Sequence, residues 1–186
     1  MSFEKLGIIK PILGAIKELG YEKPTAIQLR AIPVVLAKSD IFATAQTGTG
    51  KTAAFGLPML QRLRKTTADE KRALRGLIIS PTRELSIQIY EDLQNYAKNM
   101  ELNIAVLVGG KDLEMQKKAL KEGIDIVIAT PGRALEHAQK GLDLSSVEIF
   151  VLDEADRMLD MGFMKEIRKI HPLLPKRHQT LLFAAT

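Results

Sequence analysis

The 186-residue sequence contains no cysteine. Disulfide bonds and metal sites with cysteine ligands are therefore excluded, and a cytoplasmic protein is expected. No apolar run approaches the roughly 18 residues that a membrane-spanning helix needs. Glu4 and Lys5 stand where a signal peptide would carry its apolar region. We therefore expect neither export nor a membrane partner.

Internal repeats, low-complexity tracts and breaks in composition are also absent from the sequence. Its length and its hydrophobic content of 46% fit a single globular domain over residues 1–186, expected to be monomeric. Within it, residues 1–28 form an N-terminal region and residues 29–186 a core. The net charge of +5 favours a polyanionic partner.

One stretch, residues 45–52 with the sequence AQTGTGKT, organises the rest of the chain. An apolar run precedes it and a helix-compatible run follows, which is the context of a phosphate-binding loop. Glycines let backbone N–H groups turn toward phosphate oxygens, and the positive end of the helix dipole favours the same anion. Lys51 can reach the β- and γ-phosphates, and the Thr52 hydroxyl can ligate Mg²⁺. The alternative is a glycine-rich turn that matches by chance; the flanking pattern favours a nucleoside triphosphate site.

Two helices are predicted before this loop. Apolar side chains recur at helical spacing over residues 8–19, with Pro11 in the first turn and Gly20 as a stop. Thr25 is placed to cap a second helix that reaches about residue 36. Pro33 is expected to bend this helix or to split it in two.

Gln28 lies in the first turn of the second predicted helix. Its amide offers a donor and an acceptor side by side, which matches the N6/N7 edge of adenine. A solvated helical glutamine is the alternative interpretation. The phosphate-binding loop shortly downstream favours recognition of a base.

The remainder of the chain alternates between strands and helices. Strands are predicted at residues 76–80, 104–108, 124–129, 147–152 and 179–183. Helices are predicted at residues 83–99, 112–121 and 131–139, the last capped by Thr130, with one or two short helices between residues 156 and 170. Residues 65–75 are predicted to form an exposed connection. Continuously apolar strands separated by helices indicate an α/β domain with a mostly parallel sheet covered on both faces.

Polar clusters follow these strands at residues 80–84, 109–111, 130–133 and 153–156. Ligands of such sheets bind beyond the carboxyl ends of the strands, so we expect the clusters to share one rim with the phosphate-binding loop. Asp153 follows an apolar strand and is predicted as the second Mg²⁺ contact, and Glu154 as the residue that orients or deprotonates the attacking water. A helix cap or a solvated turn is the alternative.

Basic residues on the same rim indicate a second partner. Arg83, Lys111 and Arg133 lie beside glycines and hydroxyl residues near predicted helix N-termini, a combination suited to sugar-phosphate contacts. No aromatic residue is interleaved there, so base stacking and sequence readout are not expected. Three ordinary helix starts with solvated basic residues would look the same, and the two interpretations stay open at this point.

The ordered set of segments resembles the DEAD-box ATP-dependent RNA helicases nearly end to end. Phe3 resembles the family's upstream aromatic, residues 20–28 the adenine-sensing Q motif, and residues 45–52 motif I. Residues 81–85 resemble motif Ia, residues 109–110 the GG motif, residues 130–133 motif Ib, residues 153–156 motif II and residues 184–186 motif III. Residues 1–7 are most similar to the bacterial RhlE-type branch.

The resemblance implies a RecA-like fold that uses ATP and Mg²⁺. The implied nucleotide-binding residues are Phe3, Tyr21, Lys23, Thr25, Gln28, Thr47, Gly48, Thr49, Gly50, Lys51 and Thr52, with Phe3 packing on the base. The implied catalytic residues are Lys51, Asp153 and Glu154, and the implied Mg²⁺ ligands are Thr52 and Asp153.

The resemblance also implies two macromolecular partners. Backbone contacts to RNA are implied for Pro81, Thr82, Arg83, Glu84, Gly109, Gly110, Thr130, Pro131, Gly132 and Arg133. Asp156, Ala184 and Thr186 are implied to couple ATP to RNA through a C-terminal RecA-like domain of the same protein.

The sequence departs from the family pattern at several positions. Ala26, Tyr21 and Ser86 replace a proline, a phenylalanine and an alanine without removing a known contact. Ala184 replaces a serine whose hydroxyl bonds toward motif II, so the coupling of hydrolysis to unwinding is in doubt. The family has two RecA-like domains and this chain stops at motif III, so we expect it to bind nucleotide but to hydrolyse little or none alone.

Two other functions are alternatives to this interpretation. Another P-loop ATPase, acting on DNA or protein, would lack the adenine-selecting lead-in to Gln28. A non-catalytic RNA-binding module would consist of this domain alone.

Overall fold

The computed structural model describes residues 1–64, 72–110 and 120–185. The strands are β1 (Ile41–Thr44), β2 (Gly76–Ile79), β3 (Ile104–Leu107), β4 (Ile126–Ala129), β5 (Ile149–Leu152) and β6 (Gln179–Ala184). The α-helices are α1 (Lys10–Glu18), α2 (Ala26–Leu36), α3 (Lys51–Leu63), α4 (Arg83–Tyr96), α5 (Pro131–Gln139), α6 (Ala155–Asp160) and α7 (Met164–Ile170). Short 3-10 turns cover Glu4–Leu6 and His171–Leu173.

The strands form one six-stranded sheet in the order β1-β6-β5-β2-β4-β3, and every neighbouring pair is parallel. Alternate side chains of a strand point to opposite faces. Ile78 and Phe183 therefore enter the core under α2, α3 and α4, while Leu77 and Phe150 enter a second core under α5, α6 and α7. The predicted α/β fold, with a parallel sheet covered on both faces, is confirmed.

Pro33 was predicted to bend the second helix or to divide it. The prediction of a division was wrong, because α2 is one helix through Pro33. A proline inside a helix costs about 3 kcal/mol. Ile32 and Val35 on either side are completely buried where α2 packs on α3, and the Ala37 amide still donates to the Pro33 carbonyl at 3.0 Å. Burial of this face offsets the cost of the proline.

The predicted exposed connection and one predicted helix fall largely outside the described residues, which exclude 65–71 and 111–119. The described end of the connection, residues 72–75, is anchored and not freely exposed. Arg72 and Arg75 pair with the buried Asp125 at the start of β4, and Leu74 is buried. Thr130 occupies the predicted cap position of α5, but its side chain makes no capping hydrogen bond.

Among the described residues, none of the helices combines the length and the apolar character that crossing a membrane requires.

Candidate functional site

The strand order arranges the polar segments along one edge of the sheet. The phosphate-binding loop follows β1, the acidic residues 153–156 follow β5, and β6 lies between these two strands. Beyond β5 come β2, β4 and β3, whose ends carry residues 80–84, 130–133 and 109–110. The predicted nucleotide segments thus occupy one half of the edge and the predicted RNA segments the other. Lys111 and Thr186 lie outside the described residues.

The phosphate-binding loop already has the backbone shape that its glycines allow. Gly48 and Gly50 are left-handed, with φ angles of 80° and 87°, and Gly50 caps the N-terminus of α3. Thr49 closes the loop by donating its hydroxyl to the Gln46 carbonyl at 2.6 Å. A side chain with a Cβ would strain both glycine positions. The loop is therefore preorganised beside the positive end of α3.

Lys51 begins α3 with its ammonium group buried. The side chain is 7% exposed, and Nζ lies 4.0 Å from Asp153 Oδ1. That separation permits charge attraction but is too long for a hydrogen bond, and Nζ has no hydrogen-bond partner among the described residues. A buried ammonium without an acceptor is costly, and phosphate oxygens would supply acceptors. With Thr52 next to it and Asp153 opposite, these residues fit a triphosphate with Mg²⁺.

Asp153 lies at the end of β5 and is almost fully buried. Its Oδ1 accepts a hydrogen bond from the Glu154 amide at 3.0 Å. Burial raises the pKa of Asp153 from its ordinary 3.8 to about 6. The Lys51 charge and the hydrogen bond from the Glu154 amide oppose this rise, and the Glu154 and Asp156 carboxylates add to it. Keeping this buried carboxylate ionised therefore costs free energy, and a bound cation would reduce that cost.

We expect Asp153→Asn to stabilise the ligand-free domain against urea. Because the folded-state pKa exceeds the unfolded one, the stabilising contribution of this group is full below pH 3.8 and lost as the pH rises through about 6. Asparagine mimics the protonated form, so the gain near neutral pH is about 1–3 kcal/mol. At about pH 5 the gain should be about half as large.

The matched control is Asp160→Asn on the exposed surface of α6, which should change stability little. Destabilisation by Asp153→Asn near neutral pH would contradict this prediction. It would show that the attraction between Lys51 and Asp153 exceeds the cost of burial.

Glu154 has a left-handed backbone, with φ 53° and ψ 49°, at the N-cap of α6. This conformation costs a non-glycine residue about 1 kcal/mol or more, and such strain concentrates at functional sites. The Arg157 guanidinium, which is 55% exposed, donates to Glu154 Oε2 at 3.2 Å. The predicted water-orienting residue is thus held by its backbone and by a charged neighbour.

The end of β6 connects the loop to the acidic segment. The Ala45 amide donates to the Ala184 carbonyl at 2.9 Å, and the Ala185 amide donates to Asp156 Oδ2 at 3.1 Å. A backbone amide therefore joins residues 153–156 to the predicted coupling segment although Ala184 lacks a hydroxyl. The resemblance implied a contact between these two segments, but no sequence pattern indicated that a backbone amide makes it.

Gln28 is 3% exposed and bridges α2 to the loop. Its Oε1 accepts from the Thr25 amide at 3.0 Å, which completes a capping box and confirms the predicted cap at Thr25. Its Nε2 donates to the Gly50 carbonyl at 3.1 Å, a contact that sequence reasoning missed. One donor and one acceptor position of the amide remain for a ligand.

The two aromatic residues predicted at the nucleotide site differ in exposure. Phe3 is 4% exposed and belongs to the core, whereas Tyr21 is 36% exposed. The two rings lie 6.3 Å apart between centroids, tilted by 33°. Phe3 therefore offers little ring surface to a ligand and lies against Tyr21, while its packing on the base stays a prediction. Lys23 and Thr25 are exposed.

Basic side chains on the other half of the edge lie close to its glycines. A Cβ on Gly110 would stand 2.6 Å from Arg83 Nη1, and one on Gly109 would stand 3.9 Å from Arg133 Nε. Arg83 is exposed, while Arg133 also pairs with Glu136 at 2.7 Å. The ends of β2, β3 and β4 therefore bring two guanidinium groups to one glycine turn.

The first turn of α4 is fixed from within. The Thr82 hydroxyl accepts from the Leu85 amide at 3.2 Å, as expected of a cap, and Ser86 shares a 2.5 Å hydrogen bond with Ser80. Ser86, the departure from the family's alanine, thus has a buried partner. Pro81 is buried and Glu84 is exposed. The start of α5, which follows the neighbouring strand β4, is formed by Thr130, Pro131 and Gly132.

A parallel α/β sheet with a preorganised phosphate-binding loop after β1 and a buried acid after β5 defines the RecA-like class of nucleotide-binding domain. The sequence profile of the DEAD/DEAH box helicases matches residues 25–186. The chain belongs to this family.

Similar proteins agree with the assignment. The chain is 46% identical over its whole length to ATP-dependent RNA helicase DeaD of Escherichia coli K12, of which it covers 29%. It is 45% identical to DEAD-box ATP-dependent RNA helicase CshA of Bacillus cereus, covering 35%, and 46% identical to a probable ATP-dependent RNA helicase, ddx27, of Dictyostelium discoideum, covering 24%. The chain thus spans between 24% and 35% of the length of these relatives.

Proposed function

We propose that this chain is the ATP-binding domain of an RNA helicase that couples ATP binding and hydrolysis to local unwinding of RNA duplexes. The observation that carries the proposal is the strand order. It puts the phosphate-binding loop and residues 153–156 on one half of the sheet edge, called the nucleotide half, and residues 80–84, 109–110 and 130–133 on the other, called the basic half. The names of the similar proteins support the same activity. The RhlE-type branch and the cytoplasmic location remain predictions from the sequence, and residues 1–186 are proposed to form a single RecA-like domain.

In the nucleotide half, Lys51 would bind the β- and γ-phosphates, with loop amides of Thr47, Gly48, Thr49 and Gly50 around them. Thr52 and Asp153 would hold Mg²⁺, which supplies positive charge to the phosphate oxygens. The preformed loop supports these roles, as does the buried Lys51 ammonium, which has no acceptor in the described part of the chain.

Glu154 would accept a hydrogen bond from the attacking water and orient it. Its constrained backbone and the Arg157 contact support a fixed direction for the carboxylate. Proton removal from this water falls to the same group, since Asp153 is engaged opposite Lys51.

Adenine would be read by the remaining donor and acceptor of Gln28, and the base would contact the exposed part of Tyr21. Phe3 would support Tyr21 from behind, and the exposed Lys23 and Thr25 border the same region. The Gln28–Gly50 hydrogen bond supports a role for base recognition in shaping the phosphate-binding loop.

RNA would bind along the basic half through its sugar-phosphate backbone. Arg83 and Arg133 would provide charge, and the Gly109–Gly110 turn would let the strand approach closely. The nearness of Arg83 to Gly110 supports a continuous surface. Amides and hydroxyls at the starts of α4 and α5 would complete it.

Hydrolysis would require the C-terminal RecA-like domain, proposed from the family. In related phosphoryl-transfer enzymes an arginine finger contributes about 10³-fold or more to the rate. We therefore expect RNA-stimulated ATP hydrolysis by this chain to be at least about 1000-fold slower than by the full-length protein. Steady-state ATPase assays with and without RNA test this expectation. Comparable turnover by the chain alone would contradict it.

Ala184→Ser in the full-length protein is expected to improve coupling. The backbone already links Ala185 to Asp156, and a hydroxyl at position 184 would add a hydrogen bond toward motif II. One hydrogen bond of about 1 kcal/mol would raise the number of duplexes unwound per ATP about threefold to fivefold. Parallel unwinding and ATPase assays measure this ratio. An unchanged ratio would mean that the position is silent.

An ATPase assay on the full-length protein distinguishes the proposed function from the leading alternative, a P-loop ATPase that acts on DNA or protein. Single-stranded RNA should stimulate its ATPase activity, and single-stranded DNA of the same sequence should not. Equal stimulation by DNA, or none by either polymer, would contradict the proposed function.

A further inference from the structure

A pair of tyrosine hydroxyls joins the segment between α1 and α2 to the end of α4. Tyr21 Oη and Tyr96 Oη lie 2.8 Å apart, and the rings meet edge to face with centroids 6.0 Å apart. Tyr96 is buried in the core, whereas Tyr21 is partly exposed. A fixed side chain thus contacts the ring that faces solvent.

We propose that Tyr96 is a positioning residue for the adenine site, which holds the Tyr21 ring in the orientation that the base requires. The inference rests on the proposed contact between Tyr21 and adenine. Tyr96 itself, 75 residues away in sequence, would not touch the nucleotide.

Tyr96 is a suitable anchor because the core surrounds it. It ends α4, and a Cβ on Gly56 of α3 would stand 3.7 Å from two of its ring atoms. Burial, reinforced by the hydrogen bond to Tyr21, raises the pKa of Tyr96 far above its ordinary value. The hydroxyl therefore stays protonated and available for this bond over the whole working range of pH.

The backbone of Tyr21 is fixed independently. Gly20 adopts a left-handed φ of 80° after α1, and the Tyr21 amide donates to the Ile16 carbonyl at 3.0 Å. These contacts restrain the Tyr21 backbone, and its side-chain torsions depend on other neighbours. Phe3 limits them on one side and the Tyr96 hydroxyl sets them on the other.

Other contacts hold α1 on the end of α4 but do not touch the Tyr21 ring. Asn99 Nδ2 donates to the Pro11 carbonyl at 3.2 Å, and Lys98 pairs with Glu18 at the surface. An exposed ion pair contributes little energy. The hydroxyl pair is therefore the polar contact that acts on the ring itself.

The test compares ligands with and without a base. Calorimetric titrations with Mg·ATP and with Mg·tripolyphosphate are made on the unmodified chain, Tyr96→Phe, Tyr21→Phe and the double variant. Tyr96→Phe should weaken ATP binding about threefold, the equivalent of a neutral hydrogen bond. It should leave tripolyphosphate binding unchanged. Tyr21→Phe should weaken ATP binding by the same factor. The double variant should weaken it no more than either single variant, because each change removes the same hydrogen bond.

Unchanged ATP affinity in Tyr96→Phe, equal losses for ATP and tripolyphosphate, or additive losses in the double variant would each overturn the inference. Tyr90→Phe on the same helix is the matched control and should behave as the unmodified chain. Tyr21→Ala separates the two levels of the argument. If it leaves ATP affinity unchanged, the proposed adenine contact fails; if it weakens ATP while Tyr96→Phe does not, only the positioning role fails.

Discussion

Replacing Lys51 with alanine is expected to lower the affinity for Mg·ATP by about 100-fold or more, or about 3 kcal/mol. Lys51 is the buried cation at the start of α3, and its ammonium has no hydrogen-bond partner among the described residues. Phosphate oxygens would provide the hydrogen-bond acceptors that the ammonium lacks there, and negative charge in addition to that of Asp153. Isothermal titration calorimetry with Mg·ATP measures the loss directly.

Folding should survive this change. Within residues 1–64, 72–110 and 120–185 the Lys51 ammonium makes no hydrogen bond that the variant would lose, and its attraction to Asp153 acts across 4.0 Å. Urea denaturation checks that the variant is folded, and Lys17→Ala on the exposed surface of α1 serves as the matched lysine control. Retained affinity in folded Lys51→Ala would refute the assignment of the loop.

Gln28→Ala should lower the affinity for Mg·ATP about tenfold and bring the affinities for ATP and GTP within about twofold of each other. Two effects combine in this expectation. The variant loses the amide proposed to read adenine, and it also loses the Nε2–Gly50 hydrogen bond that holds the loop. Titrations of the variant with both nucleotides measure the affinity and the preference together.

Titration of Gln28→Ala with Mg·tripolyphosphate separates the two effects, because this ligand has no base. A small loss of affinity for tripolyphosphate measures the contribution of the loop contact. The additional loss of affinity for ATP measures the contribution of base recognition. Gln88→Ala on the exposed face of α4 is the matched control. An ATP preference that persists in Gln28→Ala would contradict the role of this residue.

Local signals in the sequence predicted most of the elements. Apolar runs bounded by helical segments marked the strands, and the carboxyl ends of those strands carry the polar clusters, as expected for a parallel sheet. Thr25 with Gln28 three residues later is the pattern of a capping box, and the structure contains that box. Such features depend on residues close together in the chain, which is why the sequence reveals them.

Contacts between distant segments could not be predicted in this way. The position of β6 between β1 and β5 decides which loops are neighbours, and no residue pattern specifies it. Two hydrogen bonds join residues far apart in the chain, Tyr21 with Tyr96 and Gln28 with Gly50. No periodic pattern in the sequence indicates such pairs. The burial of Phe3 beside Tyr21 could not be predicted either, because it depends on how the N-terminus packs on the core.

Side-by-side titration of the unmodified chain with Mg·ATP and Mg·GTP tests the central claim most directly. A RecA-like domain whose Gln28 reads adenine should bind ATP saturably, with its phosphates at Lys51. GTP should bind at least about tenfold more weakly, because the guanine edge presents an acceptor where adenine presents a donor. Equal affinity for the two nucleotides, or no binding of ATP, would contradict the account.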